Sequence, residues 1–145
     1  MSDNNDQKIT ALSPADGAQL TRQRSHIESF LATDDSRRSY KEPQGKLGTI
    51  QAILDADLFS PDQAYELECL GVVLADAFVQ GLGMEWIIVE DEIGRNASIR
   101  VPNSSIILFP LTMIRKRIIQ GERVDVFNLF NNAARNVHEL RLRGV

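Results

Sequence analysis

Leu20, Ile27 and Leu31 recur at helical spacing behind Ser13-Pro14-Ala15-Asp16, and the same three-and-four rhythm returns in four further stretches of the chain. In the first stretch Ser13 can cap, Pro14 suits the first helical position and Asp16 places an acid in the first turn, so a helix is expected from there to about Ala32. Before it, only Ile9 and Leu12 offer branched aliphatic side chains, too few to offset the entropy of ordering the segment. Residues 1–12 are therefore expected to form a flexible tail, and residues 13–145 a single α+β domain. Residues 33–45, rich in charge, Ser, Pro and Gly, read as a connection, and Leu47, Ile50, Leu54 and Leu58 as a short second helix.

Ser60-Pro61-Asp62-Gln63 is the strongest start signal, with a capping serine, a first-turn proline and a glutamine that can reach back. At 100° per residue the helix that follows carries Leu67, Leu70, Leu74 and Phe78 on one arc, and Tyr65, Cys69, Val72, Val73 and Val79 on the other. Apolar groups on both sides predict a helix in the middle of the fold, its second side covered by another helix or by a partner. It should stop at Gly81-Leu82-Gly83.

The pattern then changes period. Glu85 to Glu90 is β-branched and aromatic, Ala97 to Val101 alternates apolar with polar, and Ser105 to Phe109 is continuously apolar, as in a strand covered on both faces. Pro110 opens a fourth helix that Gly121 closes, and Asp125 can cap a fifth, on which Val126, Leu129, Phe130, Ala133, Val137 and Leu140 share a face. The expected fold is α+β, a three-stranded antiparallel meander packed against about five helices in the order ααα-βββ-αα.

Composition narrows the function more than it defines it. Among 145 residues there is one cysteine, Cys69, which excludes an internal disulfide and a cysteine-based zinc cluster. The start, MSDNNDQKIT, lacks the pattern of a secretory signal, and no stretch has the ~20 apolar residues of a membrane span, so a cytoplasmic protein without membrane contact is expected. The net charge of −4 argues against general affinity for nucleic acid. Its distribution is uneven: residues 55–94 hold ten carboxylates and no Lys, Arg or His, whereas residues 95–145 hold nine Lys and Arg against three acids. Either these two segments attract each other within the fold or an acidic face is left for a basic partner.

Glu90-Asp91-Glu92 with Gly94-Arg95 reads as a solvated hairpin turn, since its spacing is not that of a metal loop. Asp76 has mostly uncharged neighbours on its arc, and a buried carboxylate requires a hydrogen-bond or cationic partner. Arg115 falls inside the apolar arc of the fourth helix and is expected to pair with Asp76, Glu85 or Glu90. Arg115-Lys116-Arg117 otherwise suits the end of a helix, and His26 and His138 are expected as exposed helix residues. The chain contains no nucleophile elbow, HExxH, Walker loop or dinucleotide fingerprint, so no catalytic, cofactor or metal residue is assigned. Asp76, Glu85, Glu90, Asp91, Arg95 and Arg115 are the candidate partner- or ligand-binding residues.

From Ser60 to about Arg117 the chain resembles a bacterial domain family known only as a domain of unknown function. The resemblance rests on LGVVLADAF, EWIIVEDEIGR and LFPLTMIRKRI, and extends more weakly over LTRQRSHIESFL and to the end of the chain. It implies a bacterial cytoplasmic protein and no reaction. The favoured expectation is a non-enzymatic interaction module, an adaptor, chaperone or immunity-type protein, presenting acidic and apolar surface to a protein partner. The alternative is a small hydrolytic or ligand-binding enzyme using carboxylates near Asp76 and Glu90 with Arg115. A third is a self-associating subunit, a homodimer formed through the second side of the central helix.

Overall fold

The structure, a computed structural model, describes residues 7–144. Its elements are β1 (Lys8–Thr10), α1 (Pro14–Glu28), α2 (Asp34–Ser39), α3 (Pro43–Asp55), α4 (Ala64–Leu82), β2 (Glu85–Glu90), β3 (Arg95–Arg100), β4 (Ile107–Leu108), a 3-10 turn (Pro110–Thr112), α5 (Met113–Ile119) and α6 (Val126–Leu142). The α+β class and the order of the main helices and strands are those expected. Two elements are additional.

The first is β1. Of the expected tail, residues 1–6 lie outside the described residues, but Lys8, Ile9 and Thr10 pair antiparallel with Glu90, Val89 and Ile88. The sheet is thus four-stranded, in the order β1-β2-β3-β4. All three residues of β1 are exposed, so backbone pairing rather than burial holds the strand, and hydrophobic patterning has nothing to register. The second addition is α2, inside the expected connection. Thr33 and Ser36 cap each other and Arg37 and Arg38 pair with Asp34 and Asp35, three residues earlier. It buries none of its residues, so it has no apolar period to betray it.

Local signals fared better where caps are involved. Ser13 caps α1 as expected, its Oγ accepting the Asp16 N–H at 3.1 Å, and Asp16 completes a capping box by accepting the Ser13 N–H at 2.8 Å. Asp125 caps α6 by accepting the Asn128 N–H at 3.0 Å. The Ser60 turn behaves differently: Gln63 does reach back to the Ser60 N–H at 2.6 Å, but the helix begins three residues after Pro61, at Ala64, with Gln63 at the cap position. Leu58, expected in the second helix, lies beyond its end and is 48% exposed.

The core gathers around α4. Ten of its residues between Leu67 and Phe78 are buried, including Cys69, Val72 and Val73 on the second arc. That arc is covered within the chain, because α4 packs against α1, α3, the 3-10 turn, α5 and α6. Tyr65, at the start of that arc, is the exception and stays 47% exposed. Gly83 ends the helix in the left-handed conformation, φ 65°, that a glycine adopts without strain. A correction applies to the last strand: β4 comprises only two half-buried residues at the sheet edge, and Phe109 beyond it is exposed. Pro110 has no N–H to extend the ladder, which is why the apolar run ends as a 3-10 turn leading into α5.

Candidate functional site: a cleft between the first helix and the sheet

Four parts of the chain wall a cleft of about 480 Å³. From α1 come Asp16, Gln19, Leu20 and Gln23, spaced so that they fall on one helical stripe. Ile88 and Ala97, directly paired across β2 and β3, lie beside them. Glu68 enters from α4, and Phe109, Leu111, Thr112 and Lys116 complete the far wall. The approach of that wall depends on Gly71: a Cβ there would lie 2.5 Å from the Leu111 carbonyl oxygen, so only a glycine lets the 3-10 turn rest on α4.

Two polar pairs shape the interior. Gln23, only 1% exposed, donates its Nε2 to Glu68 Oε2 at 2.7 Å. Arg95 clamps Asp16 through both guanidinium nitrogens, each at 2.7 Å, a bidentate geometry that favours arginine over lysine. The Arg95 guanidinium, helped by the Ser13 N–H, holds the Asp16 carboxyl well below the usual carboxylate range. A carboxyl with a depressed value in the folded state contributes stability that is complete above the unfolded value, about 4, and is lost as the pH falls further. The stability gap between wild type and Asp16→Asn, measured by urea denaturation, should stay constant from about pH 7 to pH 5 and narrow towards about pH 2. A gap unchanged by pH would show that the clamp does not form in solution.

Of the six candidate partner- or ligand-binding residues, Arg95 lines this cleft and the other five do not. Asp76 is held by Arg24 of α1, with Nε at 2.5 Å and an Nη at 3.0 Å. Beside that pair Lys46, 8% exposed, donates to the Tyr40 carbonyl at 2.8 Å and stands 4.8 Å from the centre of its ring. Burial pulls the Lys46 ammonium down, opposed by the Asp76 and Glu28 carboxylates. Glu85 accepts from Arg100 across the strand pair at 2.8 Å. Glu90 is exposed opposite Lys8 in register. Asp91 organises the hairpin turn, its Oδ1 accepting the N–H groups of Ile93 at 2.9 Å and Gly94 at 3.2 Å. The pairing expected for Arg115 is not formed: two of its three expected partners have arginines of their own, and its buried Nε has no hydrogen-bond partner among the described residues.

The expected attraction between the acidic and basic segments is represented, among the described residues, by one ion pair, Arg100–Glu85. Arg141 adds only a bond to the Leu82 carbonyl at 3.0 Å. Asp57, Asp62 and Glu66 have no ion-pair partner among the described residues, and Asp55 only a hydrogen bond from Gln51 at 3.0 Å. This unneutralised stretch borders a second surface. His26 stacks on Phe59, ring centres 6.0 Å apart and planes at 19°, and meets Phe30 and Tyr65 at steeper angles. His26 is thus half-buried, its Nε2 without a partner among the described residues, rather than the exposed residue expected; His138 is exposed. Phe30, Leu58 and Tyr65 remain 40%, 48% and 47% exposed. A groove along α3 opens from Phe30 and Leu58, and a hollow lined by Asp55, Asp57, Glu122 and Arg123 lies beside Phe59. Cys69 is fully buried, which pushes its thiol up to about 11 and leaves it a poor nucleophile.

Sequence reasoning missed the α1 wall of the cleft, Glu68 and Lys116. One signal was available: Gln23 stands between Leu20 and Ile27 on the apolar stripe, where an amide must find a partner.

No helix among the described residues is long and apolar enough to cross a membrane. A search of curated proteins found no match. The fold is similar to that of a crystal structure from Bacteroides thetaiotaomicron VPI-5482, with a TM-score of 0.72, 14% sequence identity, and coverage of 90% of this chain and 48% of that one. The chain therefore spans about half the length of that protein. At this identity the likeness concerns the fold alone. Residues 46–130, from the buried Lys46 to Phe130 on α6, match the model of one protein family, and the chain belongs to it: Domain of unknown function (DUF3806).

Proposed function

We infer that this chain is a non-enzymatic interaction module of the bacterial cytoplasm, adaptor, chaperone or immunity-type, and that its docking face is the aromatic ridge with its acidic border. The observation that carries this reading is the coincidence of Phe30, Leu58 and Tyr65, all partly exposed about the His26–Phe59 stack, with Asp57 and Asp62, which have no cationic partner among the described residues. Aromatic groups that stay in water while carboxylates flank them suit a basic amphipathic segment, whose apolar side would cover the ridge and whose Lys or Arg would meet the acids. The hydrolytic alternative has less support, because Asp76 is committed to Arg24 and neither it nor Glu90 lines the cleft.

Selection of a random peptide library on the immobilised chain tests this. Enriched peptides should carry Lys or Arg beside Leu or Phe at helical spacing. Their binding should weaken about tenfold or more with Leu58→Ser and Tyr65→Ser together, the loss expected for central apolar anchors. Asp57→Asn with Asp62→Asn should flatten the salt dependence; asparagine is the right replacement at Asp57, whose φ of 53° it tolerates. Peptides without basic residues, or binding indifferent to all four substitutions, would overturn the reading.

A further inference from the structure

We propose that the cleft between α1 and the sheet is a binding site for a small zwitterion with apolar substance between its charged ends, a short apolar peptide with free termini, whose ammonium group meets Glu68 and whose carboxylate meets Lys116. The site is distinct from the docking face and stands whether or not that face has a partner.

The cavity has the right order of size, about 480 Å³ against roughly 300 to 1,000 Å³ for small-molecule sites. Its character comes from the state of its polar groups. Asp16 and Arg95 satisfy each other through two bonds and leave no net charge at their end. What remains is one acid and one base of opposite sign on different walls, Glu68 from α4 and Lys116 from α5. Glu68 is half-buried, and only one of its oxygens is engaged, by Gln23; its other oxygen and the Gln23 carbonyl receive no donor among the described residues. Gln23 is 1% exposed and lines the cavity wall, so a buried amide both aims the carboxylate and leaves an acceptor beside it. An ammonium group, with three donors, matches this pair of acceptors. Lys116 is exposed and has no ion-pair partner among the described residues. The same cavity is lined by Leu20, Ile88, Phe109 and Leu111, which favour aliphatic side chains. A polyanion would face Glu68 and a polycation would face Lys116, so each is disfavoured at one end.

Leucyl-leucine with free termini is the probe, titrated into the full chain and followed by the backbone amide signals of Ile88, Ala97 and Thr112. These signals are expected to shift in a saturable manner. N-acetyl-leucyl-leucine, which lacks the ammonium group, and leucyl-leucine amide, which lacks the carboxylate, should each bind about tenfold more weakly, as expected when a bond to a charged group is lost. Glu68→Gln should abolish the discrimination against the acetylated probe but keep that against the amide, and Lys116→Met should do the reverse. The outcomes that overturn the proposal are an absence of shifts at millimolar probe, shifts confined to residues outside the cleft, and equal binding of free and blocked peptides. Melting curves of both variants confirm that each is folded before it is compared.

Discussion

Gly71→Ala is expected to destabilise the protein by about 3 kcal/mol, the upper end of what overpacking a core costs. Alanine is ordinarily the better helix former by about 1 kcal/mol, so a loss here runs against propensity and isolates the collision. The added Cβ would come within 2.5 Å of the Leu111 carbonyl oxygen and 2.6 Å of its Cα. These are backbone atoms that cannot rotate away, so either α4 or the 3-10 turn must shift. Gly48→Ala serves as the control, since a Cβ at that position on α3 meets nothing within 4 Å. It should stabilise by roughly 0.5 to 1 kcal/mol through helix propensity alone. Thermal and urea unfolding of the two variants should therefore move in opposite directions. Equal shifts of one sign would mean that the 3-10 turn does not rest on α4 as described. Because Leu111 and Thr112 line the cleft, Gly71→Ala should also disturb amide signals there, linking the packing of one glycine to the shape of the site.

Arg24→Met should cost about 3 kcal/mol, the lower end of the range for stranding one member of a buried pair. The lower end applies because the Arg24 side chain is 28% exposed and that of Asp76 13%. The loss comes mainly from Asp76, left on α4 without the two bonds that Arg24 provides. Asp76→Asn should be milder, about 1 to 2 kcal/mol, since an amide buried there is neutral and can still accept one bond. Arg24→Met combined with Asp76→Leu should regain much of the loss, because replacing both charges by apolar groups removes the desolvation penalty along with the attraction. A double-mutant cycle in urea measures the coupling directly. A coupling below about 0.5 kcal/mol would assign the pair no more than the role of an exposed surface contact.

The Asp76 result also shows how far the chain's own letters reach. That this carboxylate needs a partner follows from its neighbours on the helix; that the partner is Arg24 and not Arg115 does not, because the choice depends on which helix lies against that side of α4. The candidate site was legible in the same partial way. The sequence marks Arg95 by its turn, but its clamp on Asp16 spans 79 residues, and the local pattern marks Asp16 only as an acid in a first helical turn. It is both: one oxygen receives the Ser13 N–H and the carboxylate also receives Arg95. Charge segregation was visible in the sequence, yet the bases that neutralise Asp16, Asp34, Asp35 and Asp76 are not chiefly those of the C-terminal segment.

What the sequence determined by itself are the features whose causes lie within a few residues of each other: the Ser13 cap, the Asp125 cap, the glycine stop after α4, and the bounds of β2 from Glu85 to Glu90. Their causes are short-range, a hydroxyl or carboxylate reaching a nearby N–H, a glycine at positive φ, a change of hydrophobic period. Tertiary structure alone decided the pairing of exposed Lys8–Thr10 on β2, the choice of Arg24 for Asp76, and the meeting of α1 with Glu68, Arg95 and Lys116 around one cavity. These depend on backbone edges and charges brought together from distant parts of the chain. Their energies exist only once α4 has been surrounded, and no local pattern encodes which distant group will arrive.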